Sequence, residues 1–493
     1  MIEFLLNDEK VTLHSIDPNT TVLQYLREHR QRTGTKEGCA SGDCGACTVS
    51  VVQINAAQEI EYKSINACIA FVSTLDGKQL LSVEDLQSNH LLHSTQQAMV
   101  DSDGSQCGFC TPGFVMSLFT LQKNQAHYDR HKVQQALAGN LCRCTGYKAI
   151  DKAAQRALSS PTVDHFDPLK DQLSTQLAAL NAAPVDSVGT QSERSISYTP
   201  KSVAALAKLL NDLPNAKMVA GGTDLAIAVT QRGQLFDTLI DIHQVKELQQ
   251  HHIFEHHIEI GATVSLHQCQ AILKPHFEDF ALLLERFASL QIRNQGTLGG
   301  NIANASPVGD TPPALIALGA SVQLRKGEQQ REVLVADFFV DYRQTLLQAS
   351  EFIEKIIIPL PAVIRGQTTA FKVYKVSKRL DDDISAICAA CSITLDENQT
   401  IVAVTLAYGG MAAIAKRAPQ TERALLNKTF NSATIESALN ALALDFQPLS
   451  DFRASREYRL LVAQNLLRKF YIECNNQTVN NSTGHKTRIF DYV

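Results

Sequence analysis

No stretch of the 493 residues approaches 18 consecutive apolar positions, so no membrane-spanning helix is expected. A secretion leader is not expected either. The start, MIEFLLNDEKVTLHSIDP, carries acidic residues at positions 3, 8 and 9 and no basic region ahead of an apolar one, which makes the cytosol the expected compartment. No basic block occurs, and 45 basic against 50 acidic residues leave a net charge of −5, which argues against a nucleic-acid binder. There is no G-x-S-x-G nucleophile elbow and no phosphate loop of the G-x4-G-K-S/T kind. Internal repeats and low-complexity tracts are absent. With 44% hydrophobic and 19% charged residues, wholesale disorder is excluded. At roughly 150 residues per domain the length suggests about three domains.

Cysteine, by contrast, is plentiful, and its distribution is informative. Of twelve cysteines, four lie between Cys39 and Cys68 and four between Cys107 and Cys144, while Cys269, Cys388, Cys391 and Cys474 are scattered. A disulfide framework does not suit a cytosolic chain, and eight clustered cysteines suggest two metal centres of four thiolates each.

Residues 1–82 read as a small β-rich domain: IEFLLND and KVTLHSID form a hairpin, TTVLQYLREHR a short amphipathic helix, and TVSVVQI a strand. Residues 83–160 read as a four-helix unit built from VEDLQSNHLLHSTQQAMV, TPGFVMSLFTLQKN, KVQQALAGN and KAIDKAAQRAL. Residues 161–194 hold some helical pattern between PTVDHFDP and APVDSVGTQSERS and read as a linker with polar ends and no alternating strand pattern. Residues 195–365 mix helices and strands. Residues 366–475 carry three strand-like runs and then two helices, and 476–493 form a polar tail.

Cys39, Cys44 and Cys47 follow C-x4-C-x2-C, with Cys68 one strand later, which is the spacing of plant-type 2Fe–2S ferredoxins. The glycines of the loop, Gly34, Gly38, Gly42 and Gly45, permit a close wrap and leave amides free to face sulfur. A structural zinc ion is the alternative, although zinc sites more often pair two short knuckles than place three ligands on one loop. In the second group, Cys107 and Cys110 form C-x2-C, and Cys142 and Cys144 form C-x-C. Side chains at i and i+2 diverge on a helix, so Cys142 and Cys144 are expected in a loop. Pro112 suits a first helical turn, so Cys110 is expected at a helix N-terminus, where free amides favour thiolates. Read alone, zinc suits this group as well as iron does; the ferredoxin-type neighbour favours a second redox cluster.

Met218-Val219-Ala220-Gly221-Gly222-Thr223-Asp224-Leu225 reads as strand, tight turn and helix start, where a glycine pair lets amides approach a pyrophosphate, although an ordinary turn reads the same way. It is not the G-x-G-x-x-G fingerprint of a Rossmann fold. A second glycine-rich element, RNQGTLGGNIANASPVGD, follows, and two such loops suit a long dinucleotide such as FAD. His251, His252, His256 and His257 lack an accompanying cysteine or carboxylate pair and read as a solvated strand edge. Cys388 and Cys391 would face opposite sides of a strand and read as core, as do Cys269 and Cys474.

GCASGDCGACT, QCGFCTPGF and NLCRCTGY, in that order, resemble the iron–sulfur subunits of molybdenum hydroxylases. The resemblance extends through RFASLQIRNQGTLGGNIANASPVGD and DYRQTLL to YKVSKRLDDDIS. The order, iron–sulfur then flavin on one chain, is similar to the small FAD/iron–sulfur subunit of the bacterial xanthine dehydrogenases. It implies a multidomain α+β chain: a plant-type ferredoxin β-grasp domain, a four-helix 2Fe–2S domain, a two-subdomain α+β FAD domain of the vanillyl-alcohol-oxidase/PCMH kind, and a C-terminal α+β domain of CO-dehydrogenase flavoprotein type. It also implies two 2Fe–2S clusters on the eight cysteines. Met218, Val219, Ala220, Gly221, Gly222, Thr223, Asp224, Leu225 and Thr297 would cradle FAD, with Asp310, Ile353 and Lys375 as further contacts and Phe287 against the isoalloxazine. Tyr342 and Asp381–Asp383, Asp382 among them, would border the docking place of NAD. For Phe287 and Tyr342 the plain alternative is core packing. The aromatic that precedes the flavin-side Phe in some relatives is Arg286 here, so packing beside the flavin is expected to differ. No further domain that could hold a molybdopterin is seen. The molybdenum cofactor and the oxidation of hypoxanthine and xanthine to urate, or of an aldehyde or N-heterocycle, would then belong to a partner subunit, with electrons passing through the clusters and FAD to NAD.

Overall fold

The computed structural model describes residues 1–55, 57–125, 127–159, 163–182 and 186–478. They divide into two compact units. The first comprises residues 1–249, 265–268 and 288–297; the second comprises 250–264, 269–287 and residue 298 onward.

The first unit opens with a five-stranded sheet in the order Glu9–Leu13, Ile2–Leu6, Gln79–Leu81, Thr48–Ile54, Ile60–Asn66. Ile2–Leu6 and Glu9–Leu13 form the expected hairpin, while Ile2–Leu6 pairs parallel with the distant Gln79–Leu81. One face of the sheet buries Phe4, Val49 and Phe71 together with Val22, Leu23 and Leu26. The last three come from a helix that starts at Val22–Gln24 under a Thr21 cap and widens into a π turn over Tyr25–His29. The other face carries Val52, Tyr62 and Leu81 into a core shared with Phe114, Leu118, Phe119 and Ile150.

Those last residues belong to the helices Ser94–Asp101, Thr111–Asn124, Arg130–Leu137 and Lys148–Leu158. The first of the four is shorter than the sequence pattern suggested. A 3-10 turn over Val83–Asp85 precedes it, and it starts only where His93 accepts the N–H of Thr95. Leu91 and Leu92, which lengthened the pattern, are exposed.

The segment 161–194 is more structured than a linker. It holds a turn at Asp167–Leu169, a helix at Lys170–Asn181, and a strand at Asp186–Gln191 that pairs antiparallel with Ile196–Pro200. Leu173, Leu177 and Leu180 fall at i, i+4 and i+7, one helical stripe, and all three are buried. Residues 160–162 and 183–185 of this stretch lie outside the described residues. The unit's second sheet runs Asp186–Gln191, Ile196–Pro200, Thr238–Asp241, Lys217–Val219, its last two pairings parallel.

The second unit has a five-stranded antiparallel sheet in the order His251–Ile253, His257–Gly261, Phe352–Pro359, Ser321–Lys326, Gln329–Leu334. His251 and His252 lie on its exposed edge strand, as read from the sequence. A further antiparallel sheet, Thr368–Val376, Ile387–Leu395, Ile401–Gly409 and Lys416–Arg417, packs against Ser432–Asp445 and Arg456–Thr478. Cys388 and Cys391 sit fully buried in Ile387–Leu395, and Cys269 and Cys474 are buried too. The last helix runs past residue 475, so the tail expected over 476–493 is helical at its start, and 479–493 lie outside the described residues. No helix among the described residues is long and apolar enough to cross a membrane.

Candidate redox-cofactor sites

Both cysteine groups lie in the first unit. In the first group, the Cys39 sulfur is in hydrogen-bond contact with Cys44 and Cys68, and Cys68 also with Cys47, so one chain of contacts joins all four. Among the described residues no three His, Cys, Asp or Glu side chains gather as a ready site for one metal ion; the sulfurs meet in linked pairs. The Cys39 thiol is held well below its ordinary value by hydrogen bonds from Cys44 and then Cys68, while Cys44 and Cys68 are pushed up by sharing protons with Cys39. Backbone N–H groups of Ser41 and Asp43 donate to Cys39 Sγ at 3.4 and 3.3 Å. Amides aimed at sulfur are the donors that tune an iron–sulfur centre.

The glycines divide into two kinds. Gly45, at φ +67°, needs the left-handed region. Gly38 does not; a Cβ there would lie 2.8 Å from Cys44 Sγ, so its role is close approach. Asn66 steadies the loop by donating to the Gly42 carbonyl at 2.8 Å.

The second quartet pairs Cys110 with Cys142 and Cys107 with Cys144. Cys110 is the N-cap of Thr111–Asn124, with Pro112 in its first turn, as the sequence implied. Cys142 and Cys144 lie in a loop. Burial raises Cys110, and with the contact from Cys142 it is pushed up to about 12. Burial would raise Cys142 as well, but hydrogen bonds from Thr145 Oγ1 at 3.1 Å and Thr145 N–H at 3.4 Å outweigh it, bringing that thiol down to about 7. Cys107 and Cys144 are exposed, and the apolar side chains of Phe109, Leu141 and Tyr147 stand exposed beside them. Both quartets therefore fit an iron–sulfur core: the first joins its four sulfurs in one chain of contacts and the second brings them together as two pairs, with N–H donors toward Cys39 in one and Cys142 in the other.

The two sulfur loops touch. Leu141 N–H donates to the carbonyl of Cys44 at 3.0 Å, joining the residue beside Cys142 to a ligand of the other quartet. A Cβ at Gly113 would lie 2.2 Å from the Gly45 carbonyl oxygen, so the loops pack without side chains between them.

The candidate flavin residues fall in both units. In the first, Met218 and Val219 end the strand Lys217–Val219, Gly222 turns at φ +73°, and Leu225 begins the helix Leu225–Arg232. The two glycine-rich elements meet there: a Cβ on Gly221 would fall 1.9 Å from the Gln295 carbonyl oxygen, two residues before Thr297. Thr297 is buried and bridged to Ser265. The far end of Leu225–Arg232 reaches the first quartet, where Gln231 Nε2 donates to the Cys39 carbonyl at 2.9 Å and Thr230 Oγ1 to that of Ala40 at 2.7 Å. Sequence patterning gave no hint of Gln231 or Thr230, because both read as ordinary helix positions.

In the second unit, Lys375 and Asp310 are both buried and paired at 2.6 Å, with Ser385 Oγ donating to the other Asp310 oxygen. Ile353 is buried in Phe352–Pro359, and Phe287 is half-buried beyond the helix Glu278–Glu285. Tyr342 is 57% exposed, so core packing does not explain it. Asp381–Asp383 lie in a half-buried loop where the Arg379 amide donates to Asp383 and its guanidinium to the Asp382 carbonyl. Arg286 ties this loop to the strand before it, donating to Ser377 Oγ and the Leu380 carbonyl in the loop and to the carbonyl of Lys375 in the strand Thr368–Val376.

Four family descriptions match the chain in order. They are a 2Fe-2S iron-sulfur cluster binding domain over 4–73 and a 2Fe-2S binding domain over 82–155. An FAD binding domain in molybdopterin dehydrogenase follows over 191–361, and a CO dehydrogenase flavoprotein C-terminal domain over 372–474. A xanthine dehydrogenase of Emericella nidulans is 34% identical, over 90% of this chain and 36% of its own length. A xanthine dehydrogenase/oxidase of Rattus norvegicus is 29% identical, over 95% of this chain and 38% of its own length. The chain thus spans little more than a third of the curated relatives it matches. A solved carbon monoxide dehydrogenase chain from Hydrogenophaga pseudoflava aligns with a TM-score of 0.52 and 28% identity, covering 56% of this chain and 95% of its own.

Proposed function

The chain belongs to the molybdenum hydroxylase family, whose flavin and 2Fe–2S domains it carries, and from that premise we propose that it is the electron-transfer subunit of a xanthine dehydrogenase. NAD is the proposed acceptor, and a molybdopterin-binding partner the proposed site of hypoxanthine and xanthine oxidation. When bound, iron–sulfur centres carry single electrons, and a flavin converts these into two-electron hydride chemistry. The protein's part is to hold those groups and space them. Cys39, Cys44, Cys47 and Cys68 hold one cluster, and Cys107, Cys110, Cys142 and Cys144 the other. Residues 218–225 and Thr297 are the proposed flavin contacts of the first unit, and Phe287, Asp310, Ile353 and Lys375 are those proposed in the second. Tyr342 and Asp382 border the place of NAD. The domain boundaries proposed are 1–82, 83–160, 195–365 and 366–475, and the compartment the cytosol.

The observation that carries this reading is the contact between sulfur loops, Leu141 N–H to the Cys44 carbonyl, continued by Gln231 from the flavin-side helix to the Cys39 carbonyl. Ligand loops in direct contact give the short separation between centres that an electron relay requires, whereas two independent structural zinc sites have no need of it. The exposed apolar rim of Phe109, Leu141 and Tyr147 beside Cys107 and Cys144 supports docking of the partner there.

Metal and flavin analysis of the purified chain tests the core of the proposal, with about four irons and one FAD expected and no molybdenum. Zinc with a colourless spectrum would refute it. NADH oxidation with a dye acceptor is expected from the chain alone, and urate formation from hypoxanthine only after the partner is added. The near-complete coverage of the carbon monoxide dehydrogenase chain supports a second reading, in which the same module serves another molybdenum hydroxylase. An aldehyde or N-heterocycle oxidised by the assembled enzyme while hypoxanthine is not would favour it.

A further inference from the structure

Gln291 belongs to the helix Leu290–Gln295, between the flavin residues Phe287 and Thr297, yet its side chain is completely buried between the two cysteine domains. Its Nε2 donates to Asn140 Oδ1 at 3.0 Å and to Ser117 Oγ at 3.1 Å, with Thr48 Oγ1 at 3.5 Å. These partners form one closed network. Ser117 Oγ donates to Asn140 Oδ1 at 2.7 Å, and Asn140 Nδ2 donates to the Gly45 carbonyl at 3.1 Å and to Thr48 Oγ1 at 3.3 Å. Thr48 Oγ1 donates to the same Gly45 carbonyl at 2.7 Å.

The members sit at particular places. Gly45 lies between Cys44 and Cys47, Ser117 is on the helix that Cys110 caps, and Asn140 immediately precedes Leu141, the residue bonded to Cys44. Steric contacts follow the same line. A Cβ at Gly139 would lie 2.3 Å from Ser289 Cβ, and a Cβ at Gly45 would lie 2.3 Å from the Gly139 carbonyl oxygen. Ser289, Gly139 and Gly45 therefore stack with no slack, and the amide of Gln291 pins the stack from the flavin-segment side.

We infer that Gln291 is a positioning residue that sets the separation of the two cysteine loops, so that a residue of the flavin segment governs how closely the two clusters couple. The Gln291 Oε1 has no partner among the described residues, so the residue is held through its Nε2 alone; loss of that donor leaves Asn140, Ser117 and Thr48 short of a partner in a low-dielectric interior. The inference rests on the proposed function, since it needs both quartets to hold iron.

Electron paramagnetic resonance of the fully reduced full-length chain provides the test. Two paramagnetic clusters on touching loops interact magnetically, and the interaction weakens steeply with distance. The parent is expected to show a split spectrum. Gln291→Met keeps the volume and removes the donor; it is expected to retain parental iron and flavin while losing part of the splitting, with slower electron exchange between clusters in rapid-scan reduction. Ser117→Ala, which removes one arm of the network, is expected to give a smaller loss in the same direction and serves if Gln291→Met does not accumulate. Parental splitting in an iron-replete variant would overturn the inference and leave the proposed function standing. A parent chain without two iron centres would overturn both.

Discussion

At Gly221 there is no room for even a methyl group, because a Cβ would sit 1.9 Å from the Gln295 carbonyl oxygen, a backbone atom that cannot rotate away. Gly221→Ala is therefore expected to push the two glycine-rich loops apart. Flavin content should fall well below the parent while iron content stays the same, read by absorbance and iron assay on one preparation. A fully flavinated Gly221→Ala protein would show that the cradle does not depend on this contact. Lys375 poses a different problem, because its ammonium neutralises Asp310 where both side chains are 5% exposed or less. Lys375→Met leaves a buried carboxylate with the Ser385 hydroxyl as its side-chain hydrogen-bond donor among the described residues. That should cost about 3–5 kcal/mol in denaturant unfolding. Adding Asp310→Asn should recover much of the loss, since the stranded charge rather than the missing contact is the main penalty.

At the level of elements, Arg286 is an anchor between the end of a strand and the loop that follows it. Its guanidinium donates to the Lys375 carbonyl inside Thr368–Val376 and, at two points in the loop beyond, to Ser377 Oγ and the Leu380 carbonyl, ahead of Asp381–Asp383. Arg286→Ala is expected to raise hydrogen exchange over residues 377–384 by on the order of tenfold or more, at roughly 1.5–3 kcal/mol for each bond to a charged group. Arg286→Lys, which cannot span three acceptors, should fall between the two. Equal protection in all three proteins would show that the loop is held by other means. Sequence made some elements plain and hid others, for physical reasons. Thr111–Asn124 was legible end to end because Pro112 marks its start and its apolar residues are continuous. The stretch before Ser94 misled, because exposed Leu91 and Leu92 imitate an apolar face that packs on nothing. Lys170–Asn181 was under-read because its leucine stripe is diluted by polar neighbours, and the strand Asp186–Gln191 because DSVGTQ sets its Val and Thr among Asp, Ser and Gly. The grouping of eight cysteines into two quartets was legible in their spacing, while what each quartet binds was not, because thiolates at such spacings serve zinc and iron alike.

On the scale of the whole chain, what sequence could not reveal is which distant segments fold together. Residues 288–297 join the unit of residues 1–249, and Gln291 meets Thr48 and Ser117 across separations of 243 and 174 positions. No periodicity encodes such a pairing. The same holds for Asp164, in a segment that read as linker. Its carboxylate binds His93 Nε2 at 2.9 Å and Lys123 Nζ at 2.7 Å, and Lys123 also reaches Asp167 at 2.9 Å beneath the rings of Tyr62 and Phe166. Burial would raise the Asp164 pKa, but the hydrogen bonds from His93 and Lys123 outweigh it and hold the group well below the ordinary carboxylate range. A folded value below the unfolded one, about 3.9, means the unfolded chain binds the proton first as pH falls. The stabilisation is then complete above pH of about 4 and is lost as pH drops through the folded value. The melting temperature of the full chain should accordingly hold steady from pH 7 to 5 and decline below about 4. Asp164→Asn should melt lower at neutral pH and decline less steeply in acid, because it has no such proton to take up. Acid loss of iron is common to both proteins, so the difference between their two melting profiles isolates the carboxylate. Parallel profiles would mean that Asp164 contributes equally in both protonation states, and the link between this segment and the ferredoxin-type sheet would then rest on apolar packing by Phe166, Leu173, Leu177 and Leu180 and on the bond from Asn181 to the Gly77 carbonyl.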